Sequence, residues 1–167
     1  MEVVYFTGHH GTSSENAKKI RKSDFRFKSG WFGTGAYFFD DDKEMARNWA
    51  MSKHSGKRVE VIECNIEVTK SKLLDLCNPK SENSKNFHFF RSEFLKKAEN
   101  LANIVESKES LDCKIIDYLI KKDNLEVIRN TSYTYTDEER KSNKLGSNIA
   151  NAFEICVANL ECIKSKR

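Results

Sequence analysis

Apolar residues recur at every second position in several parts of the chain, and this spacing predicts strands with one buried face. The clearest stretch is residues 58–68, where Ile62, Cys64, Ile66 and Val68 alternate with polar side chains. Further strands are predicted at 3–6, 36–39, 125–135 and 152–160, which are rich in β-branched and aromatic residues. The first of these should stop at Thr7-Gly8, so that His9 and His10 lie at its end.

Between these predicted strands, apolar residues recur at the spacing of a helix. Ser13 or Ser14 offers an N-cap for a short first helix. The acidic group 40–42 should cap a second, with apolar side chains at 45, 46, 49 and 50. The middle of the chain carries two further apolar faces, the first at Phe94, Leu95, Ala98, Leu101, Ala102 and Val105 and the second at Leu111, Ile115, Ile116, Leu119 and Ile120. Residues 25–35 predict a glycine-rich loop, and the polar residues 137–148 predict a mobile one.

Length and element order together predict one α+β domain. At 167 residues, 38% of them hydrophobic, the chain fits a single core, whereas two domains would each have a thin one. We therefore expect residues 1–167 to form one mixed sheet with flanking helices. A helical, lysine-rich insertion should occupy about 80–123.

Charge and cysteine content limit the partners and the cellular location that we expect for this domain. The chain has 29 Lys and Arg against 25 Asp and Glu, which mildly favours a polyanionic partner, although a solvated mixed-charge surface also explains it. The five cysteines form no C-x-x-C pair, which argues against disulfides and a zinc site. No stretch resembles a signal peptide or a membrane span of about 20 apolar residues. We expect a cytoplasmic protein that binds neither metal nor membrane.

Three short stretches carry the candidate chemistry: His10-Gly11-Thr12, the run 32–38 (FGTGAYF), and Glu154. Alone, each has a plainer explanation, such as a turn histidine, turn glycines or a solvated glutamate. Together and in this order they resemble the H-G-S/T, F-G-x-G-x-Y-F and catalytic-glutamate motifs of NAD-dependent ADP-ribosyltransferases. The branch they resemble is the poly(ADP-ribose) polymerase-like branch, defined by His, Tyr and Glu. The resemblance covers roughly the first 50 and the last 20 residues.

The resemblance implies a split mixed sheet and three catalytic residues, His10, Tyr37 and Glu154. Removal of nicotinamide from NAD passes through an oxocarbenium-like sugar, and a carboxylate beside the ribose stabilises that charge. Glu154 would take this role, and His10 would hydrogen-bond a ribose hydroxyl. Tyr37 would stack on the nicotinamide ring.

The resemblance also implies the residues that bind NAD. Gly11 would offer its backbone to the nicotinamide amide, where a side chain would block the approach. Thr12 would assist His10, and Gly35 would belong to the same pocket. The family places a serine on the helix after the Y-F strand, followed by a second aromatic. The stretch 45–49 (MARNW) lacks that serine, and Trp49 would replace the aromatic.

These features predict an NAD-dependent ADP-ribosyltransferase that releases nicotinamide and modifies an intracellular macromolecule. Ala152, two positions before the glutamate, argues against an arginine acceptor, because arginine-modifying members carry a second acid there. The basic stretch 140–144 slightly favours RNA or DNA over protein. The outline resembles toxin–antitoxin or antiviral defence enzymes, which would imply an antitoxin or inhibitor partner, and single transfers are expected rather than polymers.

Three alternatives remain open at this stage. An RNA 2′-phosphotransferase shares the ancestral fold and would depend on arginines such as Arg21, Arg26 and Arg47. An NAD glycohydrolase would use the same pocket with water as acceptor. An inactive member of the fold would only bind a nucleotide or a partner.

Overall fold

A computed structural model describes residues 2–97, 108–135, 137–141 and 146–167. Its secondary structure is one mixed sheet with flanking helices. The strands are β1 (Val3–Ser13), β2 (Lys28–Gly30), β3 (Gly33–Asp40), β4 (Val59–Thr69), β5 (Leu73–Asp75), β6 (Val127–Ser132), β7 (Ala152–Val157) and β8 (Ile163–Lys166). The helices are α1 (Ser14–Lys22), α2 (Lys43–Lys53), α3 (Glu82–Lys97), α4 (Lys108–Asp123) and α5 (Asp137–Lys141).

Seven of the eight strands follow the order β5-β6-β7-β3-β1-β4-β8, and the eighth, β2, pairs with β3. β5 and β6 are parallel, and the other pairs are antiparallel. The two termini of the chain therefore meet in one sheet, because β7 lies beside β3 and β3 lies beside β1. The predicted α+β domain with a mixed sheet and flanking helices is confirmed at this level.

Helix caps and the alternation in β4 agree with the sequence. The side chain of Ser13 accepts from Asn16 N, and that of Asp42 accepts from Met45 N, so each starts its helix as predicted. Ile62, Cys64 and Ile66 are fully buried in the main core. Ala17 of α1 belongs to the same core, so this helix packs against the sheet there.

Several element boundaries differ from the prediction. β1 runs on through Gly8 to Ser13, because all eleven of its residues pair with β4. The first stretch predicted as loop contains β2, and the basic end of the chain forms β8. Asp137–Lys141 is a short helix, not a mobile loop, whereas 142–145 lie outside the described residues.

The helical middle packs on one face of the sheet. Phe87 of α3 and Ile115, Ile116 and Leu119 of α4 are buried in a second core with Cys156 of β7. The predicted apolar face of α4 is thus confirmed. Phe94 and Leu95 of α3 are 37% and 44% exposed, so that face is not buried at these two positions. The rest of it, from Ala98 to Val105, lies outside the described residues.

No helix in the described ranges combines the length and apolarity that crossing a bilayer requires.

Candidate active site

The sheet opens between two of its central strands. β1 and β3 pair only at Gly8 with Asp40 and at His9 with Phe39, although β1 is eleven residues long and β3 eight. Beyond this point β1 continues along β4, and β3 continues along β7. A cleft can therefore enter the sheet where the two strands part.

A cavity of about 600 Å³ lies at this opening and is lined by His10, Tyr37 and Glu154 together. The three residues come from β1, β3 and β7, which are neighbours in the sheet. Glu154 lies opposite Phe39 on β3, and Phe39 lies opposite His9 on β1. The motif residues, 144 positions apart at the extremes, thus converge on one cleft large enough for a small ligand.

The carboxylate of Glu154 is buried and held by hydroxyl groups. Ser132 on the neighbouring strand β6 donates a hydrogen bond to Glu154 Oε1, and Thr134 contributes a second. Burial raises the pKa of Glu154 above its ordinary value, while the two hydroxyl groups act in the opposite direction. The result is an oriented carboxylate in a poorly solvated place, which strengthens its effect on any positive charge that develops nearby.

The imidazole of His10 has a fixed tautomer. Its Nδ1 lies 2.8 Å from the carbonyl oxygen of Tyr37, which can only accept, so Nδ1 carries the hydrogen. Burial lowers the pKa of His10, and the nearby Lys28 and Lys53 lower it further. The ring is therefore neutral near pH 7, and Nε2 remains an acceptor for a hydroxyl group. The ring packs edge-to-face with Phe25 and Phe38, at centroid separations of 5.1 and 5.8 Å, and these contacts fix its plane.

The phenol of Tyr37 is fixed by the turn that precedes its strand. Its hydroxyl donates to Gly33 O at 2.6 Å and accepts from Phe32 N at 3.0 Å. Burial is the main reason why the pKa of Tyr37 is raised. Both hydrogen bonds of the hydroxyl are therefore made within the protein, and the ring of Tyr37 is the part that can contact a ligand.

The remaining predicted residues, Gly11, Thr12, Gly35 and Trp49, also line the cavity. Packing also requires glycine at positions 11 and 35. A Cβ on Gly11 would lie 1.8 Å from Ala46 O on α2, and one on Gly35 would lie 2.5 Å from Val157 O. Trp49 both packs with Phe39 and Ala46 and faces the cavity, and Lys53 Nζ lies 4.4 Å from its ring centroid.

Sequence reasoning missed several residues at the site. Thr134, which lines the cavity, and Ser132, which donates to Glu154, lie within the predicted strand 125–135 and belong to no motif. His9 also lines the cavity, although adjacent side chains in a strand point to opposite faces. Its Nε2 lies 3.5 Å from Glu63, and its buried Nδ1 has no hydrogen-bond partner among the described residues.

The cavity wall is rich in cations, from Lys19, Arg26, Lys28, Lys53 and Arg140. Its carboxylates are those of Glu154 and Asp24, and Asp24 is paired with Lys166 at 2.9 Å. Lys28 and Lys53 interact with each other, which, after burial, is the next cause of the lowered pKa of Lys53. Two neighbouring ammonium groups without a carboxylate partner in the described part of the chain are suited to a phosphate-bearing ligand.

No cluster of three or more potential metal ligands occurs within the described ranges, and all five cysteines are free thiols.

Comparison of the chain with protein-family models, with curated proteins and with solved structures gave no match.

Proposed function

We propose that this protein is an NAD-dependent ADP-ribosyltransferase that releases nicotinamide and passes ADP-ribose to an acceptor. The observation that carries the proposal is the convergence of His10, Tyr37 and Glu154 on one cavity at a break in the sheet. The motif resemblance supplies the chemistry, and the geometry supports it independently.

The cavity suits the parts of NAD. The Tyr37 ring and Trp49 offer aromatic faces for the flat nicotinamide, and the neutral His10 offers Nε2 to a ribose hydroxyl. Lys28 and Lys53 suit the pyrophosphate. These groups would hold the dinucleotide so that its glycosidic bond lies beside the carboxylate of Glu154.

Glu154 would act on the sugar as the bond to nicotinamide breaks. Positive charge then develops on the anomeric carbon and ring oxygen, and a carboxylate in a buried site stabilises that charge more strongly than in water. The leaving nicotinamide takes the bonding electron pair, and an acceptor oxygen or nitrogen then forms the new bond to the anomeric carbon and loses its proton. Replacing the carboxylate of Glu154 by an amide of the same shape removes its charge and so isolates this electrostatic contribution.

The substitution Glu154→Gln should reduce nicotinamide release from NAD by at least about a hundredfold, the typical cost of losing one such electrostatic group. Glu67→Gln, on β4 and outside the cavity, is the matched control and should leave release unchanged. Release is followed by chromatography of the base. Equal release by Glu154→Gln and the unaltered protein would show that the reaction does not need this carboxylate, and no release from either would instead favour a module that binds nucleotides without catalysis.

Labelled NAD separates the transferase from its enzymatic alternatives. Label in macromolecules of a cell lysate supports transfer, and label only in free ADP-ribose supports a glycohydrolase. If NAD reacts only after 2′-phosphorylated RNA is added, the protein is instead an RNA 2′-phosphotransferase. The last has less structural support, because Arg26 lines the cavity whereas Arg21 is paired with Glu60 and Arg47 lies in another cavity.

A further inference from the structure

One segment of the chain is strongly segregated in charge. Between residues 45 and 58 the only charged groups, His54 aside, are Arg47, Lys53, Lys57 and Arg58, although acids are nearly as common as bases in the whole chain. The segment comprises most of α2 and the turn that leads into β4. Its four cations are therefore not interleaved with carboxylates along the chain.

Three of these cations, Arg47, Lys57 and Arg58, line a second, shallower cavity of about 540 Å³ and are called the α2 basic patch below. The cavity contains one carboxylate, that of Glu60, which is already paired with Arg21 at 2.7 Å. Within the part of the chain that the structure describes, no cation of the patch lies within 4.0 Å of a carboxylate oxygen. The cavity is thus net positive.

The α2 basic patch leads toward the candidate active site. Lys53 lines the first cavity and Lys57 the second, and only the short turn around Gly56 separates them. A Cβ on Gly56 would meet nothing within 4 Å, so this turn is open on its outer side. An extended polyanion could therefore run from the second cavity over the end of α2 to the first.

An exposed aromatic side chain lies on the wall of the first cavity. Trp31 is 48% exposed and follows Lys28 closely in the chain, and both line the cavity. Cations beside an exposed aromatic ring are typical of surfaces that bind single strands, because phosphates pair with the cations while unpaired bases stack on the ring. A duplex hides its base faces and would not enter such a cavity.

We propose that the α2 basic patch binds the phosphate backbone of a single-stranded nucleic acid and that Trp31 stacks on a base at the mouth of the first cavity. This inference rests on the proposed function in one respect: the strand would be the acceptor of ADP-ribose. The binding itself does not depend on NAD.

The test measures binding of a fluorescein-labelled 20-nucleotide RNA, and the DNA of the same sequence, by anisotropy without NAD. The triple variant Arg47→Gln/Lys57→Gln/Arg58→Gln should bind at least about tenfold more weakly. The slope of log affinity against log salt should fall by about 2, since each single-strand phosphate contact contributes about 0.7. The matched control is Lys80→Gln/Lys85→Gln/Lys121→Gln, which removes the same charge from exposed positions outside both cavities.

Trp31 is tested separately from charge. Trp31→Ala should weaken binding of the single strand about fivefold or more, and Trp31→Phe should restore most of it, because stacking needs only an aromatic face. Binding of a duplex of the same sequence should be unaffected by either change. Thermal unfolding of every variant checks that the fold is retained.

Three results would overturn the inference: equal weakening by both triple variants, an unchanged salt slope, or equally tight binding of a 20-residue polyglutamate probe. The last would indicate a patch for acidic protein rather than nucleic acid. Because NAD is absent, a protein that binds RNA but never cleaves NAD would refute the proposed function and leave this surface standing.

Discussion

At the scale of single residues, the candidate site is tuned by groups that do not belong to the motifs. Ser132 and Thr134 hold the carboxylate of Glu154, and the backbone of Tyr37 sets the tautomer of His10. Under the proposed function the motif residues would supply the reactive groups, while these neighbours influence their protonation and orientation. This division can be tested through pH dependence.

The substitution Ser132→Ala should move the acid limb of the kcat/KM profile for nicotinamide release to higher pH. Burial already raises the pKa of Glu154, and the Ser132 hydroxyl opposes that rise by stabilising the charged form. Without the hydroxyl the pKa rises further, so Glu154 becomes protonated, and activity is lost, at a higher pH as the solution is acidified. Thr131→Ala on the same strand is the control, and an identical acid limb in Ser132→Ala would show that this hydrogen bond has no influence on Glu154.

At the scale of elements, the position of α2 depends on the absence of one side chain. Gly11 on β1 lies directly against the carbonyl of Ala46, so helix and strand touch backbone to backbone. Ala46 and Ala50 are fully buried at the same contact. α2 also carries Trp49 and Lys53 into the first cavity, so this packing determines one wall of the site.

The substitution Gly11→Ala should lower the free energy of unfolding by about 3 kcal/mol, the upper end for overpacking, because a backbone carbonyl cannot swing aside as a flexible side chain can. Gly56→Ala offers the comparison: its surroundings are open and only its positive φ is strained, which costs about 1 kcal/mol. Urea unfolding measures the free energy of unfolding of both variants. Similar losses for the two variants would contradict a close contact between β1 and α2.

At the scale of the whole molecule, Arg129 links its own strand β6 to β3, β5 and β7, on the side of the sheet away from β4. From β6 its Nε donates to Asp40 on β3 at 2.7 Å, and it also donates to Asp75 on β5 at 3.2 Å. Its guanidinium carbon lies 4.8 Å from the ring centroid of Phe153 on β7. Asp40 is also the residue that pairs with Gly8 of β1, so this network supports the short contact between β1 and β3.

Replacing Arg129 by Met should destabilise the fold by about 3 kcal/mol, because the side chain of Asp40 is only 12% exposed and would lose its partner. The matched change Arg91→Met breaks a half-exposed pair with Asp112 and should cost about 1 kcal/mol or less. Thermal unfolding at one pH compares them. Equal shifts in Tm would mean that the Arg129 network adds nothing beyond an ordinary surface pair.

Much of the fold could be predicted from the sequence, because alternation and caps are local signals. The alternation at 62, 64 and 66 located β4, and Ser13 and Asp42 located two helix starts. The short strands β2 and β5 were missed, since three residues carry too little pattern and depend on their neighbours for pairing.

The candidate site was predictable only where its residues form motifs. His10, Tyr37 and Glu154 came from the resemblance, and their assembly in one cavity depends on strand order, which no local pattern encodes. Ser132, Lys28 and Lys53 carry no signal of their own in the sequence. They become relevant only through the neighbours that the sheet order gives them.

The brief contact between β1 and β3 gives the sheet two inner rims. His10–Ser13 on one side and the middle of β3 on the other are each hydrogen-bonded to a strand on their outer flank only, so peptide groups on the facing flanks are not consumed by a ladder. Exposed rims of this kind usually invite pairing with foreign chains. Here both rims line the first cavity, so under the proposed function their free peptide groups would pair with the carboxamide of nicotinamide.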